Sequence, residues 1–185
     1  MPTTTRCSWC LSSDLYKNYH DTEWGKPIYE DNKLFEFLIL ETFQAGLSWI
    51  TILNKRENFR TAFDNFDYNK IANYNEDKIQ ELMLNAGIIR NQLKIRAAVT
   101  NAIAFLKIQT EIGSFSQYIW NFVDGKPINN NPKNLKDIPT TTNLSDTISK
   151  DLKKRGFKFV GSTVVYAHMQ ATGMVNDHIE SCNFK

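Results

Sequence analysis

Hydrophobic positions recur at helical spacing along most of the chain. Leu34, Phe37 and Leu38 stand at i, i+3 and i+4, and the i+7 position of the same stripe is an acid, Glu41. The same kind of spacing predicts further helices over residues 48–63, 75–84, 92–112, 114–123, 144–155 and 162–171. No run of alternating residues is long enough for a convincing sheet. The pattern therefore predicts an all-α fold.

The segments between these helices divide into three kinds. Residues up to Asp31 are aromatic and are predicted to be irregular. Residues 124–142 are polar and contain three of the five prolines, which is typical of a surface loop. Residues 156–161 form a predicted tight hairpin between the last two helices. We expect one domain over residues 1–185.

Composition and charge narrow the class of protein. Hydrophobic residues make up 42% and charged residues 23% of the 185 positions, which is the balance of a globular protein rather than a disordered one. The net charge of +2 excludes a histone-like arm but allows a local basic face. There is no stretch of 18 apolar residues, and the first residues lack the apolar core of a secretion signal. We expect a cytoplasmic protein that does not span a membrane.

Cysteine and histidine concentrate at the two ends of the chain, as Cys7, Cys10, His20, His178 and Cys182. Three cysteines are too few for a disulfide framework. The i, i+4 spacing of His178 and Cys182 would place both on one face of a helical turn. With Cys7 and His20 they would form a Cys2His2 set, suited to a structural zinc ion. Two alternatives remain open: a Cys7-x-x-Cys10 ligand pair, and buried thiols with no metal.

Glu41 is a candidate for binding chemistry. It closes an apolar stripe just before the break at residues 44–46, and Trp49 follows one turn beyond. A carboxylate in an apolar, aromatic setting attracts a cationic or hydrogen-bond-donating ligand strongly, because the low dielectric constant weakens screening. The alternative is an exposed or capping glutamate at a helix end.

The region around the predicted hairpin is basic. Residues 150–163 contain five lysines or arginines, among them Lys158, against one acid. Gly161 allows a close backbone approach, and the next helix would present free N–H groups at Ser162 and Thr163, a geometry that binds phosphate. A second basic edge is predicted from positions 90, 94 and 96. The alternative is a solvated, charged helix end.

Six stretches, taken together, resemble a known family. They are YHDTEWG at 19–25, QAGLSWIT at 44–51, KREN at 55–58, AGIIR at 86–90, KKRGFKFVG at 153–161 and VNDH at 175–178. The chain resembles the 3-methyladenine DNA glycosylase I family, a divergent branch of the helix-hairpin-helix DNA glycosylases, over residues 6–182. The resemblance implies an all-α, two-lobed fold with the base pocket between the lobes and a helix-hairpin-helix region at about 144–173.

The resemblance also assigns roles to individual residues. It implies that one structural Zn²⁺ per chain ties the terminal segments 1–31 and 174–185 together, through ligands that do not include Cys10. It implies a base-contacting acid, an aromatic pocket and a hairpin, Phe157 to Gly161, that grips DNA. Phe159 departs from the superfamily pattern, which has glycine there, and Asp177 beside a zinc ligand is interpreted as a supporting or capping residue. The implied zinc ligands are Cys7, His20, His178 and Cys182; the acid is Glu41; the pocket aromatics are Trp9, Tyr16, Tyr19 and Trp49.

The activity implied by the resemblance is excision of 3-methyladenine from double-stranded alkylated DNA. Nothing in the chemistry requires a Schiff-base lysine, so we expect a monofunctional enzyme, active as a monomer, that leaves an abasic site and releases free 3-methyladenine. The alternatives are a zinc-stabilised DNA-binding module without catalysis and, less favoured, a redox sensor using Cys7 and Cys10.

Overall fold

A computed structural model describes residues 4–185, and helices dominate it. The described chain forms nine α-helices, four single turns of 3₁₀-helix and one pair of two-residue parallel strands. The helices are α1 (Asp14–Thr22), α2 (Asp31–Gln44), α3 (Trp49–Ala62), α4 (Tyr68–Ile71), α5 (Glu76–Leu84), α6 (Gln92–Ile112), α7 (Phe115–Trp120), α8 (Asn143–Lys154) and α9 (Ser162–Ala171); the strands are β1 (Ile128–Asn129) and β2 (Val175–Asn176).

The predicted helical class is confirmed, and two local predictions are wrong. The segment up to Asp31, predicted to be irregular, contains α1, whose N-cap Ser13 accepts a hydrogen bond from the backbone of Tyr16. Residues 178–182 contain turns but no helix, so His178 and Cys182 do not share a helical face. The β1 pairing ends at Asn176, and residues 177–179 after it have no regular secondary structure.

Helix α2 lies at the centre of the molecule. Every residue from 34 to 43 is buried, because α3, α6, α7 and α9 pack around the helix. Phe35 meets Phe105 with ring centroids 5.0 Å apart, and Phe105 stacks on Phe115 at 4.3 Å. A helix buried on all sides carries its polar residues into the core as well. Two of those in α2 are acids, Glu36 and Glu41.

The N-terminal segment is fastened to the end of α9. Gly25 donates a backbone hydrogen bond to Gln170, and Ile28 donates one to Thr172, each at 3.0 Å. Gly173 makes this approach possible: its φ is +70°, and a Cβ at this position would overlap the backbone of Lys26. The approach carries α1 and its aromatic residues to the face of α9. No helix in residues 4–185 combines the length and the apolar character that a membrane span requires.

Candidate active site

A cavity of about 420 Å³ opens between the N-terminal segment, α2, α3 and α9. That volume lies in the range of small-molecule sites. All five residues that the resemblance assigned to base binding line this one cavity: Trp9, Tyr16, Tyr19, Glu41 and Trp49. They come from four separate segments of the chain, so the tertiary structure brings them together.

The carboxyl group of Glu41 is the most unusual group in the cavity wall. The residue is only 3% exposed, and its Oε2 atom is buried without a hydrogen-bond partner among the described residues. Burial raises the pKa of Glu41 to about 8, because the low-dielectric surroundings penalise the charged form. The alternative of an exposed or capping glutamate is wrong. A ligand that brings positive charge or hydrogen-bond donors would favour the ionised form.

Aromatic rings form most of the wall around this carboxyl group. Trp9 contacts Tyr16 with ring centroids 4.9 Å apart, and Tyr19 contacts Trp49 at 5.5 Å. The indole N–H of Trp49 is buried and has no partner among residues 4–185. Electron-rich ring faces around an anion are complementary to a flat cation.

A buried ion-pair network supports this wall from behind. The Arg56 guanidinium lies 5.0 Å from the ring centroid of Phe37, which in turn stacks near Trp49. Arg56 also donates to Glu36 at 2.8 Å and to Glu23 at 2.7 Å. These ion pairs lower the pKa of Glu36, although its burial alone would raise it. The two acids of α2 therefore differ in protonation. Glu36 is paired with arginine and ionised, whereas Glu41 has no charged partner and its raised pKa favours the protonated form.

A candidate metal centre lies where the two ends of the chain meet. The ligand atoms of Cys7, His20 and Cys182 lie within 4.8 Å of one another, and all three residues are buried. The Nε2 atom of His20 is 3.6 Å from Cys182 Sγ, while its Nδ1 is held by Asp21 at 2.8 Å. A carboxylate on the far ring nitrogen is the usual support for a metal-binding histidine.

His178, the fourth predicted ligand, lies beside this group. Its ring centroid is 4.8 Å from that of His20, its Nδ1 bonds to Asn176 at 2.8 Å, and its Nε2 is buried with no partner in residues 4–185. Burial lowers the pKa of His178 to about 4, so the ring is neutral and can bind a metal. The Cys10 thiol instead donates to the carbonyl of Cys7 at 3.1 Å. Two thiols and two imidazoles are a donor set that suits zinc, and three of the four predicted ligands, Cys7, His20 and Cys182, have their ligand atoms within 4.8 Å of one another. His178 lies next to this group but is not part of it.

The segment between α8 and α9 forms a compact turn with an exposed basic tip. Phe157 and Val160 are buried, whereas Lys158 and Phe159 are exposed. The side chain of Asn101 both donates to and accepts from the backbone of Lys158, at 3.1 and 2.7 Å. Phe159 has a φ of +56°, a left-handed conformation that glycine adopts more easily. Phenylalanine at this position therefore carries a local strain.

The start of α9 has no side-chain cap. Gly161, the N-cap residue, supplies no capping side chain, so the first N–H groups, at Ser162 and Thr163, remain available. Ser162 Oγ shares a hydrogen bond with Ser145 Oγ at 2.7 Å, and Thr163 also lines the cavity. Of the five basic residues in this region, Arg155 is engaged by acids, at 2.8 Å from Asp151 and 2.8 Å from Glu111.

The predicted second basic edge is wrong at Lys94. Lys94 is buried and donates to the carbonyl oxygens of Phe43 and Ala45 at the end of α2, at 2.9 and 2.6 Å. Arg96 is paired with Glu76 at 2.6 Å. A lysine at the C-terminus of a helix satisfies carbonyl groups that lack intrahelical partners.

Comparison with known proteins identifies the family. The model of the methyladenine glycosylase family matches residues 9–185. The chain belongs to the methyladenine glycosylase family. DNA-3-methyladenine glycosylase of Haemophilus influenzae is 49% identical over 182 residues, covering 98% of each chain. A crystal structure of 3-methyladenine DNA glycosylase I shares 50% identity and a TM-score of 0.94, covering 97% of this chain and 98% of the other.

A second similar solved structure contains a bound ligand. It is a single-residue variant of 3-methyladenine DNA glycosylase I in complex with 3-methyladenine, 37% identical, with a TM-score of 0.94 and 97% of each chain covered. The predicted family and the predicted enzyme class, a DNA-3-methyladenine glycosylase, are therefore confirmed.

Part of the cavity wall of this methyladenine glycosylase was not predicted. Residues 135–140 belong to the segment predicted to be a surface loop, and polar composition gives no signal that such a loop closes a cavity. The α9 wall did have a signal. Thr163, Tyr166, Ala167 and Gln170 stand at i, i+3, i+4 and i+7, which is one helix face. Asp177, interpreted from the sequence as a supporting or capping residue, lies behind this face and is fully buried.

Proposed function

We propose that this methyladenine glycosylase excises 3-methyladenine from double-stranded alkylated DNA as a monofunctional enzyme, leaving an abasic site and releasing the free base. The single observation that carries the proposal is the buried, unpartnered carboxyl group of Glu41 in a cavity walled by aromatic rings. An enclosed acid of this kind is suited to a ligand that supplies both positive charge and hydrogen-bond donors.

The substrate supplies much of the driving force for bond cleavage. Methylation at N3 places positive charge on the purine, so the damaged base is already a good leaving group. Protonation by a general acid is then unnecessary, and the enzyme has to find the base, extrude it and stabilise charge. Extrusion is required because the reacting bond is inaccessible in the stacked duplex.

The cavity performs the selection. Stacking against Trp49, Tyr16 or Trp9 attracts a cationic purine by about 0.5–2 kcal/mol beyond ordinary stacking. Entry of the cation lowers the cost of ionising Glu41, whose carboxylate then accepts hydrogen bonds from the amino edge of the base. The same negative charge stabilises the oxocarbenium-like sugar as the N-glycosidic bond breaks and the base leaves as neutral 3-methyladenine. Water then adds to C1′ and releases one proton to solvent. No lysine is among the described residues that line the cavity, which supports a monofunctional reaction.

We assign DNA contact to the turn and to the start of α9. Lys158 would lie against the DNA backbone. Gly161 has no side chain, so a phosphate could approach the N–H groups of Ser162 and Thr163 and be held there without recognition of the base. Thr163 lines the cavity as well, so a phosphate held here would lie next to the extruded nucleotide. A single chain contains all of these groups, so we propose that it acts as a monomer.

We assign one structural Zn²⁺ per chain to Cys7, His20, His178 and Cys182. When bound, the ion supplies a charge that holds both thiols as thiolates and joins the two ends of the chain. Trp9 packs against His20 with centroids 5.2 Å apart, so the ligand set also supports the cavity wall. Four protein ligands leave no open position, so the ion takes no part in bond cleavage.

The proposal is tested by incubating the protein with methylated double-stranded DNA and measuring released 3-methyladenine by chromatography. Release by the natural protein, with strand breaks appearing only after alkaline treatment, supports monofunctional excision. Glu41→Gln is expected to lower release strongly while DNA affinity stays nearly unchanged. If the natural protein binds DNA but releases no base, the zinc-stabilised, non-catalytic binding module is favoured instead. If Glu41→Gln releases as much base as the natural protein, Glu41 is not part of the active site.

A further inference from the structure

Asp177 accepts several hydrogen bonds behind the part of the cavity wall that α9 forms. Its Oδ2 atom accepts from the Tyr166 hydroxyl at 2.7 Å and from Gln170 Nε2 at 2.8 Å. Its Oδ1 atom accepts from Asn130 Nδ2 at 2.7 Å. The residue has no exposed surface, and the cavity wall does not include it. Asp177 therefore cannot touch a bound base, but it touches two residues that can.

The bond to Asp177 determines how the Gln170 side chain is turned. Asp177 Oδ2 accepts this hydrogen bond and only the NH2 end of an amide donates, so that end of Gln170 faces Asp177. The carbonyl oxygen, Oε1, is then the polar atom that Gln170 has left for a ligand, and it accepts no hydrogen bond from residues 4–185. The backbone carbonyl of Gln170 is held by Gly25 at 3.0 Å, so the residue is anchored at both ends.

Tyr166 is turned in the same way. Burial and the bond to Asp177 raise the pKa of Tyr166 above its usual range, so the hydroxyl keeps its proton and donates it away from the cavity. What α9 presents at this part of the wall is an aromatic ring and an amide acceptor. An acceptor is complementary to an exocyclic amino group and repels the lone pairs of an oxo group.

We infer that Gln170 Oε1 is a second acceptor for the amino group of the extruded purine, beside Glu41, and that Asp177 is the positioning residue that turns it inward. An amino group has two hydrogens, so both acceptors can be used at once. This inference rests on the proposed function, since it places a methylated purine in the cavity. The pair would select methylated adenine over methylated purines that carry an oxo group at position 6.

The test uses two free bases that differ at that position, 3-methyladenine with an amino group and 3-methylhypoxanthine with an oxo group. Binding is followed by quenching of tryptophan fluorescence, because Trp9, Trp24 and Trp49 line the cavity. The natural protein is expected to prefer 3-methyladenine by at least about tenfold, since an oxo group would face two acceptors.

Gln170→Leu removes the acceptor and keeps most of the side chain's volume. It is expected to weaken 3-methyladenine binding by about two- to tenfold and to leave 3-methylhypoxanthine binding unchanged or stronger, so the preference falls. Gln80→Leu makes the same substitution on the exposed face of α5, away from the cavity, and should leave both affinities unchanged. An unchanged preference in Gln170→Leu would overturn the role of Gln170.

Asp177→Ala tests positioning separately. Without the carboxylate, the Gln170 amide can rotate and present its NH2 group, so 3-methyladenine affinity should fall while 3-methylhypoxanthine affinity holds or rises. A merely structural role would lower both affinities equally and would overturn the assignment of Asp177. Zinc content is measured alongside, because His178 is adjacent, and is expected to be unchanged.

The proposed function and the inference about Gln170 and Asp177 would be refuted by different results. If the natural protein releases no 3-methyladenine from methylated DNA, the proposed function itself is wrong. If it releases the base but binds 3-methyladenine and 3-methylhypoxanthine equally, only the inference about Gln170 and Asp177 is overturned.

Discussion

Replacing Glu41 by glutamine is expected to stabilise the folded protein while impairing its activity. The substitution keeps the size of the side chain and removes its ability to ionise. In the folded protein, burial raises the pKa of Glu41 from its ordinary 4.5 to about 8. Between these two values the folded protein binds a proton that the unfolded chain has released. The contribution of Glu41 to stability is therefore fully present below pH 4.5 and is lost as the pH rises toward 8.

The size of the effect follows from the width of that window. Each pH unit within it lowers the free energy of unfolding by about 1.4 kcal/mol. The loss is under about 1 kcal/mol at pH 5, roughly 3 kcal/mol at pH 7 and roughly 4–5 kcal/mol well above pH 8. Because Glu41→Gln has no such loss, its advantage over the natural protein should grow by these amounts.

Urea unfolding of both proteins at pH 5, 7 and 8, in a constant excess of Zn²⁺, measures the difference. Glu36→Gln is the matched control, since it makes the same change in the same helix. Its carboxylate is paired with Arg56 and Arg60, and its pKa is lowered, so this variant should be less stable than the natural protein at neutral pH. A Glu41→Gln advantage that stays constant within about 0.5 kcal/mol from pH 5 to pH 8 would refute the desolvation argument.

Three further outcomes are expected. Burial lowers the pKa of His168 to about 4, so the natural protein should lose roughly 3 kcal/mol more than His168→Gln as the pH falls from 7 to below 4, measured by urea unfolding. Gly173→Ala should destabilise by several kcal/mol because its Cβ meets backbone, whereas Gly125→Ala, also at positive φ but in open space, should cost only about 1–2 kcal/mol. Cys182→Ser should lose zinc and lower the melting temperature, whereas Cys10→Ser should keep zinc at one per chain.

Each of these three predictions would be contradicted by a specific result. A His168→Gln variant with the same acid sensitivity as the natural protein would mean that this histidine is not buried in its neutral form. Equal costs for the two glycine substitutions would mean that α9 and the N-terminal segment do not approach closely. Loss of zinc on replacing Cys10 would transfer a ligand position to that thiol.

Helix positions were predictable because their signal is local. The stripe of α2 and the long apolar face of α6 depend only on side-chain spacing within one segment. Helix α1 was missed although its signal is present: Ser13 caps it, and Tyr16, Tyr19 and His20 stand at i, i+3 and i+4. The stripe contains aromatic and polar residues rather than aliphatic ones, so it did not indicate a buried helix face. His20 is buried only because the far end of the chain packs against it.

The functional residues were reached by two routes. Glu41 was conspicuous in the sequence as an acid in an apolar stripe, yet that pattern fits an exposed helix end equally well. The packing of four helices around α2 is what buries it and raises its pKa. The candidate metal ligands were conspicuous by their position at the two chain ends. Only the resemblance distinguished Cys7 and Cys182 from Cys10 as ligands, and only the fold brings Cys7 beside Cys182.

By itself the amino-acid sequence determined the helical class, the family and the identity of the chemically unusual side chains. Spacing and residue type are properties of the chain alone and can be read without knowing which residues lie nearby in space. The tertiary structure alone decided that residues 135–140 line the cavity, that Lys94 is buried and that Gln170 donates a hydrogen bond to Asp177. Each of these depends on contacts between segments that are distant in sequence. Such contacts set the local dielectric constant and the direction of hydrogen bonds, and neither can be predicted from a short stretch of sequence.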